Sequence, residues 1–306
     1  MGTIKTVVSV SLGSSARDHV ARVELGGELF EARREGVDGD RAALERRLSE
    51  LDADPDVAAI GLGGTDLFLN AAGRTYWFRE MKPLARLVQN KALVDGSGLK
   101  GDVEADTVRF MREELGLDLA GKTALVTSAV DRWGLAMALV DAGVVCEYGD
   151  LLYILDIPRI LHNKNVLRRV VRAVAPLAIQ LPFAWLYPSE SDHTTEPKRS
   201  AKTDELYRAA DIIVGDYKFV TKYMPDDLDG IWIITNTTTE ADLDFLRSRG
   251  VAKLITTTPR LDGRTFGTNV MEALLIAAAG EREALSTERY LQLLAENDLG
   301  PSALDL

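Results

Sequence analysis

Cysteine is almost absent from the 306-residue chain, and the single Cys146 excludes an internal disulfide. It sits in an apolar run and reads as a small packing residue. Histidine is nearly as scarce. His19, His162 and His193 stand far apart, without the spacing of a zinc site, and no metal is expected. Basic charge is in deficit, with a formal net charge of −11, which argues against general nucleic-acid binding and for solubility. No run of about 18 apolar residues is present, so a membrane span is not expected. The first apolar stretch, Thr6 to Leu12, is short and interrupted by serine, which predicts no signal peptide and a cytoplasmic protein.

What remains is an ordinary α/β composition on a chain long enough for two cores. The pattern predicts two α/β domains, the C-terminal one a Rossmann-like doubly wound parallel sheet. Residues 1–102 form the first, and 103–285 the second with a helical insert at about 151–203. Residues 286–306 supply a last helix and tail. In the first domain, strands are expected over Ile4 to Ser11, through Val20 to Glu31 with a turn at Gly26-Gly27, and over Val57 to Leu62. A helix with Leu44, Leu48 and Leu51 on one face lies between them, and Leu67 to Phe78 reads as a hairpin.

The chain is organised around Gly121 to Asp150, GKTALVTSAVDRWGLAMALVDAGVVCEYGD. It reads as strand, turn, helix and strand, with an acid about 20 residues past the turn, the layout of a dinucleotide-binding unit. The turn is poor in glycine. Ser128 and Val130 stand where the fingerprint has its first two glycines, and only Gly134 can fill the third role, close helix–strand packing. Ser128, Val130, Asp131, Arg132 and Gly134 are the candidate phosphate contacts, and Asp150 the candidate ribose acceptor, favouring NAD over NADP. Asn236, Thr237 and Gly267, at later strand and helix ends, complete the candidate cofactor set. Hydroxyl-rich strand ends serve equally as helix caps, as Thr239 with Asp242 would. In Asp95-Gly96-Ser97-Gly98-Leu99-Lys100, an acid and an amine share one glycine-freed loop, a pair suited to moving a proton, with Lys82 as a rival amine.

The run DGSG, a helix, then LDLAGKTALVTSAVDRWGLAMAL, NTTT and a late FGTNVMEALL resembles the quinate/shikimate 5-dehydrogenase-like proteins over roughly residues 82 to 280. The Rossmann segment is also similar to methylenetetrahydrofolate dehydrogenases. The resemblance implies an NAD(P)-dependent oxidoreductase acting on a small polyhydroxylated carbocyclic acid. Asp95 would be the catalytic acid, assisted by Lys100 or Lys82, with Asn236 and Thr237 at the nicotinamide. The glycine-rich phosphate loop of that family is missing here. A non-catalytic nucleotide-binding sensor is the alternative. A small-molecule substrate and a homodimer are the expected partners.

Overall fold

The computed structural model describes residues 4–187, 200–261 and 263–306. Strand β1 (Lys5–Ser11) lies mid-sheet, because its residues are apolar on both faces. The hairpin β2 (His19–Leu25) and β3 (Glu28–Gly36) turns at Gly26-Gly27. Helix α1 (Arg41–Ala53) starts at Asp40, whose carboxylate accepts the Ala43 N–H, and leads to β4 (Val57–Gly63). A two-stranded ribbon, β5 (Phe68–Ala71) and β6 (Arg74–Trp77), and a short α2 (Lys82–Ala85) precede β7 (Ala92–Val94). The sheet order is β2-β3-β1-β4-β7, parallel except for β2.

Helix α3 (Asp102–Arg109), extended by a π-helical turn over Phe110–Glu114, carries the chain to the second sheet. There β8 (Thr123–Val126), α4 (Trp133–Asp141) and β9 (Val145–Tyr148) form the expected strand–helix–strand unit. Helices α5 (Asp150–Tyr153), α6 (Lys164–Ala178), α7 (Phe183–Leu186) and α8 (Ala201–Arg208) follow. The polar loop expected over Ser189 to Lys202 lies mostly outside the described residues. Regular alternation then resumes with β10 (Ile212–Val214), α9 (Tyr217–Lys222), β11 (Trp232–Thr235), α10 (Glu240–Arg247) and β12 (Lys253–Thr256). Thr239 and Asp242 form a reciprocal capping box at α10. A small ribbon, β13 (Arg260–Leu261) and β14 (Arg264–Thr265), precedes α11 (Thr268–Ala279) and α12 (Thr287–Glu296). The terminal β15 (Ser302–Asp305) adds antiparallel to β12, where the sequence suggested only a tail. The order is β15-β12-β11-β10-β8-β9, parallel but for β15.

The chain is therefore two α/β units built on parallel-rich sheets. Alternate strand residues bury on opposite faces, as the two-residue period of a strand requires. In the second sheet Ala124, Val126, Val214 and Ile234 face one core, while Leu125, Ile213, Ile233 and Leu254 face another with α8, α9 and α10. The first sheet does the same. Val8, Val10 and Ile60 pack on α1, and Val7, Phe30 and Ala59 pack on α11 and α12. Thus α11 follows the second sheet in sequence but covers the first. Gly96 makes the approach possible. It sits at φ +89°, and a Cβ there would meet the Thr268 side chain and the Asn269 N–H. No described helix is long and apolar enough to cross a membrane.

Gly134 serves helix packing, as expected, but its neighbour is another helix start. A Cβ on it would overlap the carbonyl of Gly101, where α3 and α4 meet. Gly134→Ala is expected to lower stability by about 1–3 kcal/mol, the usual range for overpacking. Urea unfolding checks this, and an unchanged midpoint would show that α3 and α4 separate freely.

Candidate functional site in the cleft between the sheets

Parallel sheets collect loops at the carboxyl ends of their strands. Here those ends meet: Ser9, Ser11 and Gly63 from the first sheet and Asp131, Asp216 and Asn236 from the second line one cleft of about 140 Å³. Its floor is an ionic network. Lys100 Nζ lies 2.7 Å from Asp66 and 2.9 Å from Asp131, so it joins the two sheets. Arg132, only 2% exposed, pairs with Glu104, with Asp131 at 3.3 Å and with Asp216 at 3.4 Å. Asn236 Nδ2 donates to Asp216 at 3.2 Å, and Thr257 donates to Glu104 at 3.2 Å. Burial alone would discharge the Lys100 amine, yet Asp131 and Asp66 hold it well above its ordinary value. Burial pushes the Asp66 and Glu104 carboxyls up, against the pull of Lys100 and Arg132 respectively. Asp216 stays below the ordinary range despite burial, because Arg132 and Lys218 face it.

The cleft brings together Asp95, Lys100, Asp131, Arg132, Asn236, Thr237 and Gly267 among the residues singled out in the sequence. Asp95 is nevertheless placed as an anchor for turns. Its Oδ2 accepts from the Leu67 (2.5 Å) and Phe68 (3.0 Å) N–H groups, and its Oδ1 from Ser97 (2.9 Å). Lys82 is exposed at the start of α2, away from the cleft. Ser128 is wholly buried. Val130 and Asp150 line a separate apolar cavity.

Arg17, Arg34 and Arg264 also line the cleft, near enough for the charges of the first two to act on the third. Arg34 donates to Ser11 Oγ at 3.2 Å and to the Ser14 carbonyl at 2.9 Å. Partial burial, then the charges of Arg17 and Arg34, lower the affinity of Arg264 for its proton. Asn269 Nδ2 reaches Ser9 Oγ at 2.5 Å across the opposite wall. Sequence reasoning missed Ser9, Ser11, Arg17, Arg34, Asp66 and Arg264. The only available signal was that Ser9 and Ser11 close a strand and that Asp66 follows Gly63-Gly64.

A family model described as Domain of unknown function (DUF8754) matches residues 98–306. The chain belongs to the DUF8754 family. A second model, Domain of unknown function (DUF8753), matches residues 6–95 of this DUF8754 chain. No curated protein matches its sequence. Among solved structures it is similar to an ABC transporter solute binding protein from Burkholderia multivorans, at 12% identity and TM-score 0.39, covering 99% of this chain and 100% of that one. A carbohydrate transporter solute binding protein from Agrobacterium radiobacter, in complex with D-arabinose, matches at 12% and 0.35, over 99% and 94% of the two chains. The Trypanosoma brucei methylenetetrahydrofolate dehydrogenase-cyclohydrolase, complexed with NADP cofactor and inhibitor, matches at 12% and 0.32, over 95% and 86%. Such scores carry no functional argument.

The quinate/shikimate dehydrogenase identification is thereby corrected, since the families whose models match this chain are DUF8754 and DUF8753. The assignments as an oxidoreductase enzyme and as an NAD or NADP binder fall with it, and so does the nucleotide ligand of the sensor alternative. The physical reason lies in the turn. The Val130 N–H, which would face a pyrophosphate, donates instead to Asp150 Oδ1 at 2.8 Å. Asp150, the expected ribose acceptor, is thus folded under the turn and buried. Arg132 is consumed by three carboxylates.

Lys100→Met removes the one cation shared by Asp66 and Asp131 and should cost about 3–5 kcal/mol, as for a broken buried pair. Urea unfolding at pH 7 measures it, and a wild-type midpoint would mean that the pair is solvated.

Burial, and the nearby charge of Asp131, push the Asp150 carboxyl from 3.8 up to about 7. The native state therefore binds this proton more tightly than the unfolded chain does. The contribution favours folding below about 3.8 and is lost as pH rises to about 7. Asp150→Asn keeps an oxygen for the Val130 N–H and removes the charge. Its stability relative to wild type should rise between pH 4 and pH 8, followed by urea midpoints across that range. A pH-independent difference would contradict the burial of this charge.

Proposed function

We propose that the chain binds, without transforming, a small hydroxylated anion such as a sugar acid or sugar phosphate in the cleft between its sheets. The observation that carries this reading is that Arg17, Arg34 (which also pairs with Asp18 at 3.1 Å) and Arg264 line the same cleft as a set of hydroxyl and amide groups. Guanidinium groups match carboxylate and phosphate oxygens in geometry and charge. Ser9, Ser11, Thr237 and Asn269 supply the donors and acceptors that a polyhydroxylated body needs.

Two further features favour binding over chemistry. Lys100 is held charged by two carboxylates, which suits it as a fixed point charge and not as a base. Asp95 has both oxygens engaged by backbone N–H groups.

Thermal unfolding in the presence of gluconate, glucose 6-phosphate, glucose, inorganic phosphate and NAD tests the reading. A ligand at about 100 times its dissociation constant adds about 2.7 kcal/mol. The hydroxylated anions should raise the midpoint, and neutral glucose should do so far less. Arg264→Gln should weaken the effective anion by roughly 10- to 100-fold, the range for one charge-assisted contact. A shift with NAD alone, or none with any anion, would overturn the proposal.

A further inference from the structure

The two most exposed large apolar side chains among the described residues are Leu177, at 72%, and Trp185, at 70%. They are not isolated. Of eleven such exposed side chains among the described residues, six lie within residues 157–185: Ile157, Val166, Val174, Leu177, Leu181 and Trp185. The period of α6 accounts for much of this. Leu167, Val171 and Ala175 turn one stripe of the helix to the core. Val166, Ala173 and Leu177, at intervals of seven and four, form a second stripe on the solvent side. Past the helix end, the Leu181 N–H donates to Ala178 and the Trp185 N–H to Pro182. These tight turns keep Leu177, Leu181 and Trp185 in succession, four residues apart. Single exposed apolar residues are ordinary, but a group of them marks a surface that meets a partner.

The charge of the same segment narrows the choice of partner. The chain carries a net charge of −11, yet it has no Asp or Glu between Asp156 and Glu190. That stretch holds Arg159, Lys164, Arg168, Arg169 and Arg172. Lys164, at the helix start, lies 3.7 Å from Asp141. Arg169 donates to the Asn165 carbonyl at 3.3 Å and Arg172 to that of Ala72 at 3.0 Å. Neither of them, nor Arg168, pairs with a carboxylate among the described residues. Helical spacing sets Arg169 and Arg172 beside the outer apolar stripe. The partner must therefore offer anionic and apolar surface together. A second copy of this chain, related by a two-fold axis, would set arginine against arginine. A nucleic acid would meet the arginines and leave Leu177 and Leu181 in water. The interface of an anionic bilayer satisfies both, with the tryptophan ring at headgroup level, the leucines beneath it and the arginines beside lipid phosphates.

We propose that the outer face of α6, continued by the Leu181 to Trp185 turn, docks the chain on an anionic lipid surface, with the helix lying in the plane of the interface. At about 1.5 Å per residue, the 15 residues of α6 give a contact about 22 Å long. The net negative charge of the chain opposes approach by its other faces, so binding selects this one. Phe183, which falls between Leu181 and Trp185 in sequence, is buried and lines the cleft. The docking face is thus separate from the cleft and does not depend on the ligand proposed there.

Co-sedimentation of the whole chain with vesicles tests the surface. Vesicles of equal parts phosphatidylcholine and phosphatidylglycerol should bind it at least about tenfold more tightly than phosphatidylcholine alone, and less as salt is raised. An arginine near an anionic surface strengthens binding about fivefold, so Arg168→Gln with Arg169→Gln should weaken it about 25-fold. Trp185→Ser should weaken it about tenfold or more, the scale of leaving one large apolar side chain unburied. Trp185→Phe should still bind, but the blue shift of tryptophan emission that anionic vesicles give the wild type should be absent. Polyuridylate and polyglutamate, which offer charge without an apolar layer, should bind at least about tenfold more weakly than the anionic vesicles. Circular dichroism confirms that each variant is folded. No binding to anionic vesicles, equal binding to neutral ones, or wild-type binding by the arginine or serine variant would overturn the proposal. So would an emission shift retained in Trp185→Phe, or a soluble polyanion bound as tightly as the vesicles.

Discussion

Two buried cations hold the cleft together. Lys100 bridges Asp66, beyond the β4 end of the first sheet, to Asp131, on the first turn of the second. Arg132 pairs with the same Asp131 and with Glu104 and Asp216 from two further positions in the fold. None of these groups could be buried alone, since an unpaired charge out of water is far too costly. Each therefore requires the others to be in place. That mutual requirement fixes how the ends of the two sheets face one another, and so the shape of the space between them.

The same network explains why a Rossmann-like layout need not bind a dinucleotide. A phosphate-binding turn works by leaving backbone N–H groups free and letting a helix N-terminus face the ligand. In this turn Val130 donates to Asp150, and Arg132 is turned inward onto carboxylates. Without glycine at positions 128 and 130, where Ser128 and Val130 stand, the backbone is also less open to close approach. The glycine that survives, Gly134, is needed so that α4 can lie against the start of α3.

Polar character is divided between two spaces that share Tyr187 as a wall. The cleft is rich in charge and hydroxyl groups, and the neighbouring cavity is lined almost entirely by apolar side chains. Asp131, on the β8–α4 turn, lines the cleft, and Asp150, at the start of α5, is held under the same turn by the Val130 N–H.

Much of the architecture was legible in the sequence, because strand and helix periods are written locally in apolar spacing. The strands beginning at Lys5, Val57 and Thr123 stand close to where the pattern puts them. Lys100, Asp131, Arg132 and Asn236 could be singled out as polar residues at strand ends. Their use could not be read, since a charge shows its partner only when distant segments meet. Tertiary structure alone decided that α11 covers the first sheet, that Asp95 is spent on backbone N–H groups, and that Asp150 is buried under the Val130 turn. It also brought Arg17, Arg34 and Arg264 to one place from residues more than 200 positions apart. Sequence fixes the period of each element, but electrostatic and packing partners are set by which ends converge in space.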